Sequence, residues 1–134
     1  MIIDDYAHHP SEVKATLNSA KSGWNKRIIS IFQPHLYSRT RDFYLDFATA
    51  FMLADIAVFT EIFPAREEAI EGVSTKLIVD ELSKLGHENI HYVPDINKIP
   101  EIIQRISMPG DMILTMGAGN IWKQNKKIIA DLKS

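Results

Sequence analysis

A chain of 134 residues, 46% hydrophobic and 24% charged, has the size and apolar content of one ordinary globular domain that buries a core without covalent or metal staples. A formal net charge of −2 and a pI near 6.2 argue against nucleic acid and against an anionic membrane surface as partners. The absence of cysteine excludes disulfides, thiolate metal sites and a cysteine nucleophile; with no basic leader and no apolar run of spanning length, a cytoplasmic protein is expected.

Short β-rich runs alternate with longer amphipathic stretches, the pattern of βαβ units. It predicts a Rossmann-like three-layer α/β domain, a mostly parallel sheet covered by helices on both faces. Ile2-Ile3 reads as the first strand. After a polar turn Pro10 opens a helix, because a proline in the first turn forfeits no hydrogen bond, and Val13, Leu17 and Ala20 recur at helical spacing before Gly23. Arg27–Phe32 reads as a strand, Ser38–Leu53 as a helix with Phe43, Phe47, Ala50 and Phe51 on one face, and Ile56–Phe59 as the third strand. The stretch Glu61–Gly72 is longer than a structural link requires, which marks it as a functional loop. Ser74–Leu85, closed by Gly86, reads as a helix, His91–Val93 as a short strand and Pro100–Ile106 as another helix. Pro109-Gly110 makes a turn into a buried last strand, Met112–Met116, and Gly117-Ala118-Gly119 opens a final helix through Leu132.

In open α/β sheets ligands bind beyond the carboxyl ends of the strands, so the chemistry is sought directly after each strand. Four segments qualify. The first, Asp4-Asp5-Tyr6-Ala7-His8-His9-Pro10, sets two carboxylates, a phenol and two imidazoles between a strand and a helix start. A carboxylate there can accept from ribose hydroxyls and a histidine can orient a carboxylate; read blandly, the same residues make a turn and a helix cap. Adjacent histidines rarely reach one ion, and no metal site is expected. The second, Phe32 to Arg41, brings Arg39 and Arg41 to a helix amino terminus, a setting that suits a carboxylate or phosphate. Here Ser38 is the natural N-cap and Arg41 a surface charge paired with Asp42, which leaves Arg39 as the candidate. The third, Glu61 to Glu68, offers Arg66 and Glu67 as either rim groups or plain solvated charges. The fourth, Thr115 to Asn120, is a strand, a glycine loop and a helix start, which lets backbone N–H groups approach an anion; alternatively the glycines serve only the turn. No GxxxxGK[ST] phosphate loop occurs in the chain.

Together these segments, with Phe32-Gln33-Pro34-His35, Pro64-Ala65-Arg66-Glu67-Glu68 and Leu114-Thr115-Met116-Gly117-Ala118-Gly119, resemble in order and spacing the carboxy-terminal domain of the Mur ligase family. Within that family they resemble the ligases that join L-alanine to UDP-N-acetylmuramate. The resemblance spans almost the whole chain. It implies that residues 1–134 are one domain of a three-domain enzyme, with an amino-terminal domain for the UDP-sugar and a central domain holding the ATP phosphate loop as partners. It implies a reaction in which ATP and Mg2+ activate the muramate carboxylate as an acyl phosphate that the amino group of L-alanine attacks. The metal and phosphate sites would lie outside this chain, and the fragment alone would be inactive. By position, Asp5 would contact the ATP ribose and Tyr6 would lie near the nucleotide. His8 and Arg39 would serve as the catalytic pair that holds the amino acid and the reacting centre, and Gly117, Ala118 and Gly119 would face the same cleft as Asp5 and His8.

One departure is visible: Leu36 stands where many relatives carry an arginine, and whether Arg41 compensates is left open. The methionine directly before the first motif reads as the start of a trimmed chain. Two rival readings are a murein tripeptide ligase domain, whose second segment would not read Phe-Gln-Pro-His, and a stand-alone nucleotide-binding module that catalyses nothing.

Overall fold

The computed structural model describes residues 1–133. Its strands are β1 (Ile2–Asp5), β2 (Ile28–Phe32), β3 (Ile56–Phe59), β4 (Ile90–Tyr92) and β5 (Met112–Met116). They form one sheet in the order β1-β5-β2-β3-β4, with every pairing parallel. The helices are α1 (Pro10–Gly23), α2 (Tyr37–Phe51), α3 (Lys76–Lys84), α4 (Ile99–Ile106) and α5 (Asn125–Lys133). Among the described residues no helix is long and apolar enough to cross a membrane.

The layers follow from the two-residue period of the strands. β2 and β5 are buried at every position, as central strands of a parallel sheet must be. Ile28, Phe32, Met112, Leu114 and Met116 pack with Val13 and Leu17 of α1, Phe47 and Phe51 of α2, and Ile78 and Leu82 of α3. Their neighbours Ile29, Ile31, Val58 and Ile113 face the other way, onto Ile99 and Ile103 of α4 and Ile128 of α5. Each fully buried side chain of this size contributes roughly 1.5–3 kcal/mol relative to exposure, so a one-residue slip of either strand would invert both cores.

α1 forms where the sequence places it. His9 is its N-cap and makes a capping box with Glu12, Pro10 occupies the first turn, and Pro10, Val13, Leu17 and Ala20 are its buried stripe. The last helix starts later than the sequence suggests. The backbone amides of Asn120 and Ile121 donate to Oε1 of Gln33 at 2.9 and 3.1 Å, so the chain runs through a 3-10 turn at Ile121–Gln124 before α5. Thr75, fully buried, donates to the Thr60 carbonyl at 2.8 Å and ties the start of α3 to the end of β3.

The register sets the strand ends level. Asp5 pairs with Met116, Met116 with Phe32, Phe32 with Phe59 and Phe59 with Tyr92. β5 lies between β1 and β2, yet α1 and α2 cover one face while α5 covers the other. The chain therefore diverges at the carboxyl ends of these three strands, which is where an open sheet forms its crevice.

At the opposite end, Arg27 clamps the starts of β2 and β5. Its guanidinium donates to both oxygens of Asp111 at 3.0 and 2.6 Å and to the Ile106 carbonyl at 3.2 Å. Asp111 follows a turn in which Gly110 has φ +91° behind Pro109, closed by the Asp111 amide on the Met108 carbonyl at 3.1 Å. Burial alone would raise the Asp111 carboxyl, but the bonds from Arg27 and the Met108 amide outweigh it and hold it below its ordinary 3.8. A depressed folded pKa gives stability that is present above the unfolded value and lost as pH falls through the folded one. Asp111→Ala is expected to cost about 1–3 kcal/mol at pH 7, because one partner is buried and Arg27 is a third exposed. In urea titrations the gap between wild type and variant should narrow below about pH 4; a gap independent of pH would contradict the ionic account.

Candidate functional site

β1 delivers the first group. Asp4 and Asp5 alternate across the strand: Asp4 accepts from the Thr115 hydroxyl at 2.8 Å, while Asp5 turns to the α1 side. There Asp5 accepts from the Ala7 amide at 2.8 Å and the Thr16 hydroxyl at 3.2 Å, beside a groove lined by Ile3, Ser19 and Trp24. The Asp5 carbonyl accepts from the Gly117 amide at 3.2 Å, so these two segments meet through their backbones. Tyr6 is 70% exposed. The His8 amide donates to Oε1 of Glu12, as does that of His9, at 3.2 and 3.0 Å, and these backbone bonds hold the Glu12 carboxyl below its usual range. His8 Nδ1 lies 3.0 Å from the Tyr6 carbonyl. A carbonyl only accepts, so Nδ1 carries the proton and Nε2 is left for another partner.

β2 delivers the second group, on a backbone held unusually. Leu36 precedes α2 with φ +73°, a region that costs a branched residue about 1–3 kcal/mol. Its amide donates to the Phe63 carbonyl at 3.0 Å, the Phe63 amide donates to the Pro34 carbonyl at 2.8 Å, and the buried Thr40 hydroxyl donates to the Leu36 carbonyl at 3.0 Å. This isolated bridge between His35 and Phe63 continues the β2–β3 pairing past the strand ends. It stacks the His35 ring on Phe63 at 6.0 Å, and the His8 and His35 rings meet edge to face at 5.9 Å. Arg39 lies 3.2 Å from His35 Nδ1. Guanidinium has no acceptor, so it donates and His35 is the neutral tautomer with its proton on Nε2. Burial, then Arg39 and then His8 lower the His35 pKa, with Glu67 opposing them.

The structure thus joins His8, His35 and Arg39 into one line across the ends of β1 and β2. Two of these were singled out from the sequence; His35 was quoted in its motif without a role. Ser38 is not the N-cap of α2, since Leu36 occupies that position and makes no side-chain cap. The cap comes from the long loop: Glu67 accepts from the Ser38 amide at 2.9 Å and from its hydroxyl at 2.5 Å. Arg41 is exposed and paired with Asp42 at 2.9 Å, as a surface charge, and Arg66 is exposed as well.

The glycine loop is shaped by Gln33. Besides taking two amides on Oε1, Gln33 donates from Nε2 to Asn120 at 2.7 Å. A Cβ on Gly117 would lie 2.9 Å from the Gln33 carbonyl oxygen; one on Gly119 would lie 2.5 Å from Gln33 Oε1 and 2.6 Å from Phe63 Cγ. The glycines are required by protein contacts, and the amides of Gly117, Asn120 and Ile121 are already used. Among the described residues, no group of three or more His, Cys, Asp or Glu could hold a metal ion.

The family model described as Mur ligase, glutamate ligase domain, matches residues 1–119. The chain belongs to the Mur ligase family. Among its curated relatives, the UDP-N-acetylmuramate–L-alanine ligase of Geobacter sulfurreducens is 46% identical over 133 residues, covering 98% of this chain and 29% of that protein. This Mur ligase chain therefore spans under a third of that relative's length. The crystal structure of UDP-N-acetylmuramate-alanine ligase from Thermotoga maritima matches with a TM-score of 0.78 at 31% identity, over 98% of this chain and 26% of that one. The murein peptide ligase of Psychrobacter arcticus matches with a TM-score of 0.77 at 21% identity, over 98% and 27% of the two chains, a likeness of fold alone.

Three outcomes are expected. Gly119→Ala should cost about 2–4 kcal/mol by denaturant titration, since neither Gln33 nor Phe63 is free to move. Gly23→Ala, whose Cβ meets nothing within 4 Å, should be neutral or gain up to about 1 kcal/mol. In NMR titrations of this Mur ligase chain, His35 should titrate below the ordinary imidazole range and move upward in Arg39→Ala. A downward shift would reverse the charge assignment.

Proposed function

We propose that this chain is the carboxy-terminal domain of the ATP-dependent ligase that joins L-alanine to UDP-N-acetylmuramate, and that its rim binds the amino acid and the nucleoside. The observation that carries this reading is the alignment of His8, His35 and Arg39 across the carboxyl ends of β1 and β2, with β5 between them, on a chain whose curated relatives bear that name. Arg39 commits one N–H to His35, and the rest of its fork suits the amino-acid carboxylate. His8, protonated on Nδ1 toward Tyr6, presents Nε2 as the acceptor for a proton of the incoming amine.

ATP supplies the phosphoryl group that activates the muramate carboxylate. The residues present fit its nucleoside end: Asp5 retains acceptor capacity beyond its two donors, and the exposed Tyr6 ring offers a stacking face. They do not form a phosphate cradle, because the glycine positions are filled by Gln33 and Phe63; only the Ala118 and Gly119 amides remain for a polar contact at this edge. On this reading, and as the family resemblance implies, the phosphate and Mg2+ sites lie in a central domain and the UDP-sugar site in an amino-terminal one.

In the intact ligase, Arg39→Ala is expected to lower turnover of L-alanine by about tenfold to a thousandfold, the effect of a few kcal/mol in a closed site. Arg39→Lys should restore part of it, because an ammonium lacks the bidentate fork. The melting temperature should hardly change. Unaltered turnover and L-alanine KM, or a loss explained by unfolding, would remove Arg39 from the site. The 134-residue chain alone should form no ADP with L-alanine and UDP-N-acetylmuramate; ADP formation by it would favour a self-sufficient enzyme instead.

A further inference from the structure

We propose that Glu67 is the positioning residue for Arg39, acting through the first turn of α2 without touching substrate. The inference rests on the rim being the amino-acid site. It begins from an incompatibility: a helix start beside an arginine is where the sequence places a substrate anion, yet that place is already taken by the chain's own carboxylate. Glu67 receives the Ser38 amide and the Ser38 hydroxyl at 2.9 and 2.5 Å. The amino acid's carboxylate is thereby left to the Arg39 guanidinium, and the aim of that one group decides binding.

The turn that aims it has little support of its own. Leu36, the N-cap, supplies no side-chain bond and sits at φ +73°, so the first turn has only the Thr40 bonds to the Leu36 carbonyl and no cap of its own for the Ser38 amide. The loop after β3 holds it at two points instead. Phe63 bridges Pro34 and Leu36 and stacks on His35; Glu67 grips Ser38, the residue adjoining Arg39. Between these attachments lies the bond from Arg39 to His35. The Ser38 hydroxyl, followed by the Ser38 and Tyr37 amides, holds the Glu67 carboxyl below its usual range, so the clasp is a carboxylate at neutral pH. A carboxylate at a helix start is also favoured by the helix dipole.

The test uses Glu67→Ala, Glu67→Gln and Ser38→Ala in the intact ligase, with the same changes in the 134-residue chain for NMR. In Glu67→Ala the KM for L-alanine should rise about tenfold, the cost of a misaimed positioning group, while the KM values for ATP and the UDP-sugar stay within about twofold. Glu67→Gln keeps an acceptor for the Ser38 amide and should recover most of the loss; Ser38→Ala should fall between them. By ¹⁵N NMR the His35 Nδ1, an acceptor in the wild type, should lose its single tautomer in Glu67→Ala. An unchanged tautomer together with an unchanged L-alanine KM overturns the inference, as does an equal rise in all three KM values with a lowered melting temperature. A changed tautomer with an unchanged L-alanine KM supports Glu67 as the support of Arg39 and overturns the reading of the rim as the amino-acid site. If Glu67→Ala fails to fold, Glu67→Gln and Ser38→Ala decide by the same criteria.

Discussion

A parallel sheet is buried on both faces, and this constraint governs the rest of the molecule. Its helices must cover each side, so polar groups with work to do can emerge only at the strand ends. Here the register brings Asp5, Met116, Phe32, Phe59 and Tyr92 to one level. The four segments, spread along the chain from Asp4 to Asn120, therefore meet at one rim. The two-faced core also leaves little freedom to adjust the site by sliding a strand, because sliding exchanges one apolar set for the other. Adjustment falls to the connecting segments, which is where the unusual backbone and the interlocking side chains are found.

Those side chains form a connected set. Gln33 sits directly after β2 and serves both directions: its backbone carbonyl closes against Gly117, and its amide fastens Asn120 and Ile121. Phe63 backs Gly119 with one part of its ring and His35 with its face. The glycine loop and His35 are thus supported by two residues with no chemistry of their own. A buried amide that uses both its carbonyl and its NH2 group is costly to disturb, since any replacement strands several partners at once.

Much of this was legible in the sequence, for identifiable reasons. Strands such as Ile28–Phe32 and Met112–Met116 are near-continuous apolar runs bounded by polar turns, and α1 announces itself through Pro10 and the spacing of Val13, Leu17 and Ala20. His8 and Arg39 stand out because they follow strands. What stayed hidden depends on contacts distant along the chain. The role of His35 requires Phe63 and Arg39 to be placed around it; nothing in the run Gln33-Pro34-His35 states that its ring is pinned. Ser38 looked like an N-cap because serine before a helix usually is one. The positive φ of Leu36 moves the cap back by two residues, and a glutamate 29 positions away completes the turn. The glycines stand out in the sequence as a loop, but their contacts with Gln33 and Phe63 are not legible locally.

The edge position of β1 gives the rim an uneven temporal character. This strand has four residues, none of them fully buried, and among the described residues pairs only with β5, whereas the Arg39 half is anchored to β2 in the sheet interior and to the loop after β3. Local opening costs least where buried apolar contact is least. Release of β1 would carry Tyr6 and His8 away from His35 while the arginine, its histidine and their loop stay assembled. In such an opening the rim would divide between His8, carried by the edge strand, and the His35–Arg39 pair held on the β2 side.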